Sequence, residues 1–356
     1  MTVSHPDWWD GHSDQPFRVP RAQRTRMDVA RLREYTLTAT TALLLGPAVA
    51  WRYFSLPPRA TAVPAAQFVG LGVSPDPGFW AEQAEMIAEL GIEELLLRVP
   101  SWHAQELDVY LDFAGRFRGA RFLIVIPQSR ESVTNPAGWA TALRRIFDAF
   151  GSVTEWFQIG NAVNRVKWGC THSGEYLRLL EAAEEVRRDY PRVKLLGSAV
   201  IDFEPLATLR TLRNRHRYRL DAVAALLYVN RRGSPVNRQF GIFDLERKLR
   251  LIRAIVATGN RNADRLWITE TNWPLLHTKP WTPNSGHPRS TVDERTQAEY
   301  LKQYYHIAYR AGFVEKVYWW QLIAPGYGLV DHRGGGLRKH PSFDALRGLL
   351  SGNTLH

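Results

Sequence analysis

Cysteine is almost missing from this chain. Cys170 is the single one in 356 residues, so no intrachain disulfide can form. Nor does any Cys/His cluster have the spacing of a zinc site, and no glycine-rich phosphate loop follows an apolar run. The common metal and nucleotide signatures are therefore absent, and no cofactor is implied. Gly334-Gly335-Gly336 reads as a flexible loop. Acidic residues are in deficit, with 35 Asp and Glu against 46 Lys and Arg, a net charge of +11. Such a surface can attract nucleic acid, anionic lipid or an acidic polysaccharide. The arginines are scattered through helical segments (Arg144, Arg145, Arg187, Arg188, Arg247, Arg250), without an aromatic-interleaved basic stripe. Nucleic acid is accordingly not an expected partner. A hydrophobic content of 45% excludes global disorder.

The first part of the chain differs from the rest. Residues 1–34 form a polar, arginine-rich segment carrying Arg18, Arg21, Arg24, Arg26, Arg31 and Arg33. Tyr35 to Trp51 then carries no charge, at the lower length limit for a membrane-spanning helix. Tyr35, Trp51 and Tyr53 sit where interfacial aromatics would sit. The excess of arginine before the run would place the N-terminus inside and the remainder outside a membrane. Two readings of 35–53 stay open. One is a membrane anchor with the rest of the chain folded on the extracytoplasmic side; the other is a helix packed on the outside of that folded part, compatible with the cytoplasm. Residues 54–66, rich in proline and alanine, read as a linker.

From residue 67 to 352 short apolar runs alternate with helical patterns. The runs are Phe68–Ser74, Glu94–Pro100, Arg121–Pro127, Glu155–Asn161, Val193–Ile201, Asp221–Asn230, Arg265–Thr271 and Lys316–Ile323. Continuous apolar runs suit parallel strands buried on both faces. Between them, Trp80, Ala84, Ile87 and Gly91 mark one helix face. Leu245, Leu249, Ile252 and Val256 mark another, opened by Asp244 and stopped by Gly259. Eight strands alternating with helices predict an α/β fold of the (β/α)8 TIM-barrel type, which takes about 250 residues. A doubly wound open sheet is the alternative.

In such a barrel the reacting groups lie at the C-terminal strand ends. Reading those positions gives Arg98, Gln128, Asn161, Asp202, Tyr228, Glu270 and Trp319 or Trp320. The segments FQIGNAVN (157–164), LWITETNWP (266–274) and VYWWQLIAPGYGLVD (317–331) resemble the large clan of retaining glycoside hydrolases built on TIM barrels. That clan carries Asn-Glu after the fourth strand and Glu after the seventh. The resemblance implies that Glu270 matches the nucleophile and Asn161 the asparagine that bonds a sugar hydroxyl. It implies that Tyr228 and Arg98 contact the nucleophile, and that Trp319 and Trp320 form the platform under the sugar. It also implies a carbohydrate partner, an oligo- or polysaccharide.

One position departs from the pattern: Ala162 stands where the clan has its acid/base glutamate. Retaining hydrolysis uses two carboxyl groups about 5–5.5 Å apart, one attacking and one passing a proton. Alanine passes none. Asp202, Glu204, Glu131 and His172 are the candidates to replace it, each with an ordinary structural explanation as a loop or helix-start residue. The expected function is a glycoside-hydrolase-like barrel that acts on or binds a polysaccharide. The alternative is an inactive glycan-binding or scaffold protein of cell-surface polysaccharide assembly. An Ala162→Glu exchange is expected to be tolerated, as a strand-end residue at the mouth can hydrate a new carboxylate.

Overall fold

In the computed structural model, which describes residues 4–58, 63–283 and 290–351, eight parallel strands close into a barrel. A small antiparallel hairpin, β1 (Trp9–Asp10) and β2 (Gln15–Pro16), precedes it. The barrel strands are β3 (Val69–Val73), β4 (Glu94–Arg98), β5 (Arg121–Ile126), β6 (Trp156–Ile159), β7 (Lys194–Ile201), β8 (Ala222–Leu226), β9 (Leu266–Thr271) and β10 (Lys316–Trp319). β10 pairs with β3, which closes the ring. A second hairpin, β11 (Val330–Asp331) with β12 (Arg338–Lys339), follows. The architecture is the (β/α)8 barrel expected from the alternation, and each of the eight apolar runs contains one barrel strand.

The helices start and stop where the sequence punctuates them. Asp244 accepts from the Arg247 amide at 3.0 Å and opens Leu245–Thr258. Asp293 does the same for Glu294–Ala311 through the Thr296 amide at 2.8 Å. Each carboxylate satisfies an amide that has no partner in the first helical turn. Inside the barrel, Leu96, Leu123, Val125, Leu196, Ala222, Ala224, Trp267 and Tyr318 form one core. A larger apolar layer lies between strands and helices. Gly70 and Gly72 in β3 leave room for aromatic rings: a Cβ at Gly70 would fall 2.2 Å from Tyr318, and one at Gly72 would fall 2.3 Å from Trp320. Glycine here seats the Trp320 indole at the C-terminal end of the barrel.

The uncharged run does not stand apart from the barrel. It lies in a helix, Val29–Ser55, that packs on the outer wall against Pro205–Leu212 and Leu245–Thr258. Among the described residues no helix is long and apolar enough to cross a membrane. The inward side of this helix is pinned by an ion pair between the partly buried Glu34 and the buried Arg210, at 3.0 and 3.1 Å. Arg31 caps the preceding turn by donating to the Arg24 carbonyl at 3.1 Å. The expected linker 54–66 is helical up to Ser55, and Ala65–Phe68 forms a short helix leading into β3. Residues 59–62 of that stretch lie outside the described residues, as does residue 352 at the expected domain end.

Removing one partner of a buried pair strands the other charge, which costs roughly 3 kcal/mol or more. Glu34→Ala should therefore lower the unfolding free energy by about 3 kcal/mol, read by denaturant titration. A change below about 0.5 kcal/mol would show that the helix does not depend on this pair.

Candidate functional site

Arg98 is the last residue of β4 and Glu270 lies near the end of β9, so both reach the C-terminal mouth. Their side chains meet: the Arg98 guanidinium forms an ion pair with Glu270 Oε2. On the other carboxylate oxygen Glu270 accepts a short hydrogen bond from the Tyr228 hydroxyl. Tyr228 follows β8, and burial together with Glu270 pushes its hydroxyl well above the ordinary tyrosine range, so it stays a donor. Arg232 stacks over the Tyr228 ring at 3.8 Å and donates to the Asn272 carbonyl at 3.2 Å. Asn272 in turn donates to the Trp320 carbonyl at 2.7 Å.

The two tryptophans part ways, because adjacent strand residues face opposite sides. Trp320 lines the cleft, whereas Trp319 is fully buried behind it, stacked on Trp273 at 5.9 Å. Trp320 is not an open platform either. The Arg98 guanidinium covers its ring at 3.7 Å, and the residue is 4% exposed. Asn161 lies just below the mouth. Its backbone N–H donates to Gln128 Oε1 at 2.9 Å, and its side-chain amide nitrogen has no hydrogen-bond partner among the described residues.

Ala162 is completely buried, with φ at +45°. The left-handed backbone and the lack of solvent mean that a glutamate there would bury its charge. The expectation that Ala162→Glu hydrates freely is thus overturned by packing. The four possible replacements separate in space. Asp202 lines the cleft but is tied to Arg165 at 2.6 Å, and Glu204 bonds the same arginine at 2.6 Å and Asn164 at 2.8 Å. Glu131 and His172 border a different cavity, on the β5 and β6 side of the barrel. Burial holds the His172 imidazole below its ordinary value.

What sequence reasoning missed is the leader. Within the polar, arginine-rich segment, residues 4–20 fold across the mouth. Trp9 packs on Trp102 and Trp168 at 5.4 and 5.6 Å, and His103 contacts the Ser4 carbonyl at 2.9 Å. The tip of the β1–β2 hairpin reaches three separate barrel loops. Ser13 accepts through its carbonyl from the Tyr327 hydroxyl at 3.3 Å. Asp14 takes the free edge of Arg98, at 3.0 Å through its carboxylate and 3.2 Å through its carbonyl. Gln15 accepts from the Lys167 amine. The signal was present as Trp8-Trp9-Asp10-Gly11 followed by Asp14, a hairpin-like string inside an otherwise basic leader. A cleft of about 480 Å³ remains beside the hairpin, within the range of small-ligand sites. It is lined by Asp14, Arg18, Arg98, Arg165, Glu270 and Trp320 among others.

No protein-family model and no curated protein matches the chain. Solved structures are similar to it. A family 39 glycoside hydrolase from the gut symbiont Bacteroides cellulosilyticus WH2 superposes with a TM-score of 0.60 at 14% identity, over 83% of this chain. The chain spans 65% of that enzyme's length. A β-glucosidase from Thermotoga maritima in complex with azafagomine gives a TM-score of 0.60 at 12% identity, covering 83% of this chain and 100% of that one. The virulence factor SghA from Agrobacterium tumefaciens gives 0.56 at 11% identity, covering 82% and 98%. At such identities the likeness establishes the fold: a glycoside-hydrolase-like (β/α)8 barrel.

Burial pushes the Asp14 carboxyl from 3.8 up to about 7, with Asp76 and Glu270 adding to it and Arg98 and His5 opposing. Between these values the folded chain holds a proton that the unfolded chain lacks. Docking of the hairpin is thus strongest at low pH and weakens as pH climbs to about 7. Amides of residues 9–16 should be better protected from hydrogen exchange at pH 5 than at pH 8, after correction for intrinsic rates. Asp14→Asn should flatten the difference. Equal protection of the unaltered chain at both pH values would contradict the burial of this carboxyl.

Proposed function

We propose that the cleft binds a carbohydrate chain and that Glu270 occupies the place of a retaining nucleophile without a matching acid. The observation that carries this reading is the Glu270 carboxylate, held between Arg98 and Tyr228 at the floor of a ligand-sized cleft. In a retaining reaction such a carboxylate attacks the anomeric carbon while a second carboxyl protonates the departing oxygen. At position 162 the chain has a buried alanine, and Asp202 and Glu204 are engaged with Arg165. Binding is therefore the main activity and hydrolysis of ordinary glycosides is slow. The glycoside hydrolases among the similar structures support the choice of a carbohydrate ligand.

Loss of general acid assistance costs roughly 10²–10⁴-fold, and an aryl leaving group needs that assistance least. Nitrophenyl glycosides should therefore be cleaved measurably, and unactivated disaccharides of the same sugar at least about 10²-fold more slowly. Glu270→Gln should abolish aryl cleavage. Equal rates on both substrates would mean that another acid works in the cleft. Cleavage that survives Glu270→Gln would mean that the nucleophile is elsewhere.

We also propose that the Val29–Ser55 helix rests on a membrane surface, which keeps the barrel beside the bilayer. From Leu43 to Phe54 its exposed residues are uncharged and mostly apolar, with Leu43 80%, Leu44 72%, Trp51 66% and Phe54 79% exposed. Aromatic and aliphatic side chains on one helix face, flanked by arginine, suit the interfacial zone of a bilayer. The full chain should co-sediment with vesicles containing anionic lipid, and Leu43→Glu/Leu44→Glu should release it. Co-sedimentation unchanged by that double exchange would remove the helix from the contact.

A further inference from the structure

The hairpin that crosses the mouth has two faces. Its register pairs Trp9 with Pro16, and both are buried. One position along, the Phe17 amide donates to the Trp8 carbonyl at 2.9 Å. Successive residues of a strand point to opposite sides, so Trp8 and Phe17 form a pair on the side away from Trp9. They remain 40% and 50% exposed. The Trp8 ring meets Trp102 edge to face at 4.8 Å, and Phe17 makes no ring contact among the described residues. Both rings border a cavity of about 760 Å³ beside the Glu270 cleft. The cavity and the cleft share Arg18, Val19, Val166 and Lys167 as a common wall.

We propose that this cavity is a second carbohydrate subsite, in which further sugar units of the chain held over Glu270 stack on Trp8 and Phe17. The inference rests on the carbohydrate reading above and adds where the chain continues. A sugar ring presents C–H groups on its faces and hydroxyls around its edge. A matching site therefore sets polar groups beside an aromatic surface. Here the polar groups are Gln23 and Glu131, whose side chains make no hydrogen bond or ion pair among the described residues. An apolar occupant would cover these groups and leave them unsatisfied.

The common wall sets the direction of the chain. From Glu270 on β9 it passes over residues 166–167, after β6, toward Glu131, after β5. The leader supplies the opposite side, with Trp8 and Phe17 from the two arms of the hairpin and Gln23 from the short helix Arg21–Thr25. Paired aromatic rings left uncovered in a concave site mark a contact surface. The third aromatic of the hairpin, Trp9, is 5% exposed, so the hairpin docks with one ring and presents the other two.

The test is calorimetric titration of the full chain with oligosaccharides of two to six units, in three series: β-1,4-linked glucose, β-1,3-linked glucose and β-1,4-linked N-acetylglucosamine. In at least one series the hexamer should bind about tenfold more tightly than the dimer, the size expected of stacking on two rings. Phe17→Ala, a change at a half-exposed ring, should remove most of that ratio, and Phe17→Tyr, which keeps the ring, should retain it. Glu131→Ala, at an exposed residue, should also lower the ratio. Affinity that does not rise with length, or a rise that survives both alanine variants, would overturn the inference and leave the carbohydrate reading standing. Failure of every oligomer would remove both. If Phe17→Ala released the chain from vesicles and left every oligomer's affinity as it was, the ring pair would belong to a membrane contact, and the inference would be overturned as well.

Discussion

The guanidinium of Arg98 is the contact on which the mouth of this barrel depends. It joins the end of β4 to Glu270 on β9, accepts the hairpin tip through Asp14, and lies flat on Trp320 after β10. Burial works against its charge, and the two carboxylates more than restore it, so its proton is held more firmly than in free arginine. Without it, two buried carboxylates would face each other with no cation between them, an arrangement that costs several kcal/mol. Strand, leader and aromatic floor are therefore locked as one unit. One guanidinium shared by two carboxyl groups fixes the geometry of groups that are far apart in sequence.

That lock changes what the cleft can do. In a barrel lined only by its own loops, the space over Glu270 and Trp320 would be open. Here the leader fills part of it and walls the rest, which leaves a cavity with cations on several sides. The buried Ala162 belongs to the same arrangement: with no solvent around it, an acid at that position would carry a desolvation penalty. The leader across the mouth and the buried alanine at position 162 support the reading proposed above, a site that holds a chain more than it cuts one.

The wall helix extends the same economy to the outside of the barrel. It is apolar on both sides: Val49, Ala42, Leu45 and Tyr53 pack inward beside the Glu34–Arg210 pair, and Leu43, Leu44, Trp51 and Phe54 face outward. Apolar residues on both sides explain why composition alone left a membrane segment and a packed helix as equal readings. A long uncharged stretch has the same letters whether it crosses a bilayer, lies on one, or packs against protein.

Much of the barrel was legible in the letters. Each apolar run contains a strand because parallel strands covered on both faces must be apolar throughout. Asp244 and Gly259 bounded their helix because capping is a local hydrogen-bonding problem. Arg98, Tyr228 and Glu270 could be picked out as a group because closure of the barrel brings all strand ends to one mouth. Their contacts with one another followed from the resemblance, and the parting of Trp319 from Trp320 from strand alternation; the burial of Ala162 followed from neither, since it depends on packing. Asp14 lay furthest from reach. Its partner Arg98 is 84 positions away, and nothing in a short polar hairpin states which distant surface it will meet. Local chemistry determined the elements; the site was decided by long-range burial, which places charges together only once the whole chain has closed around them.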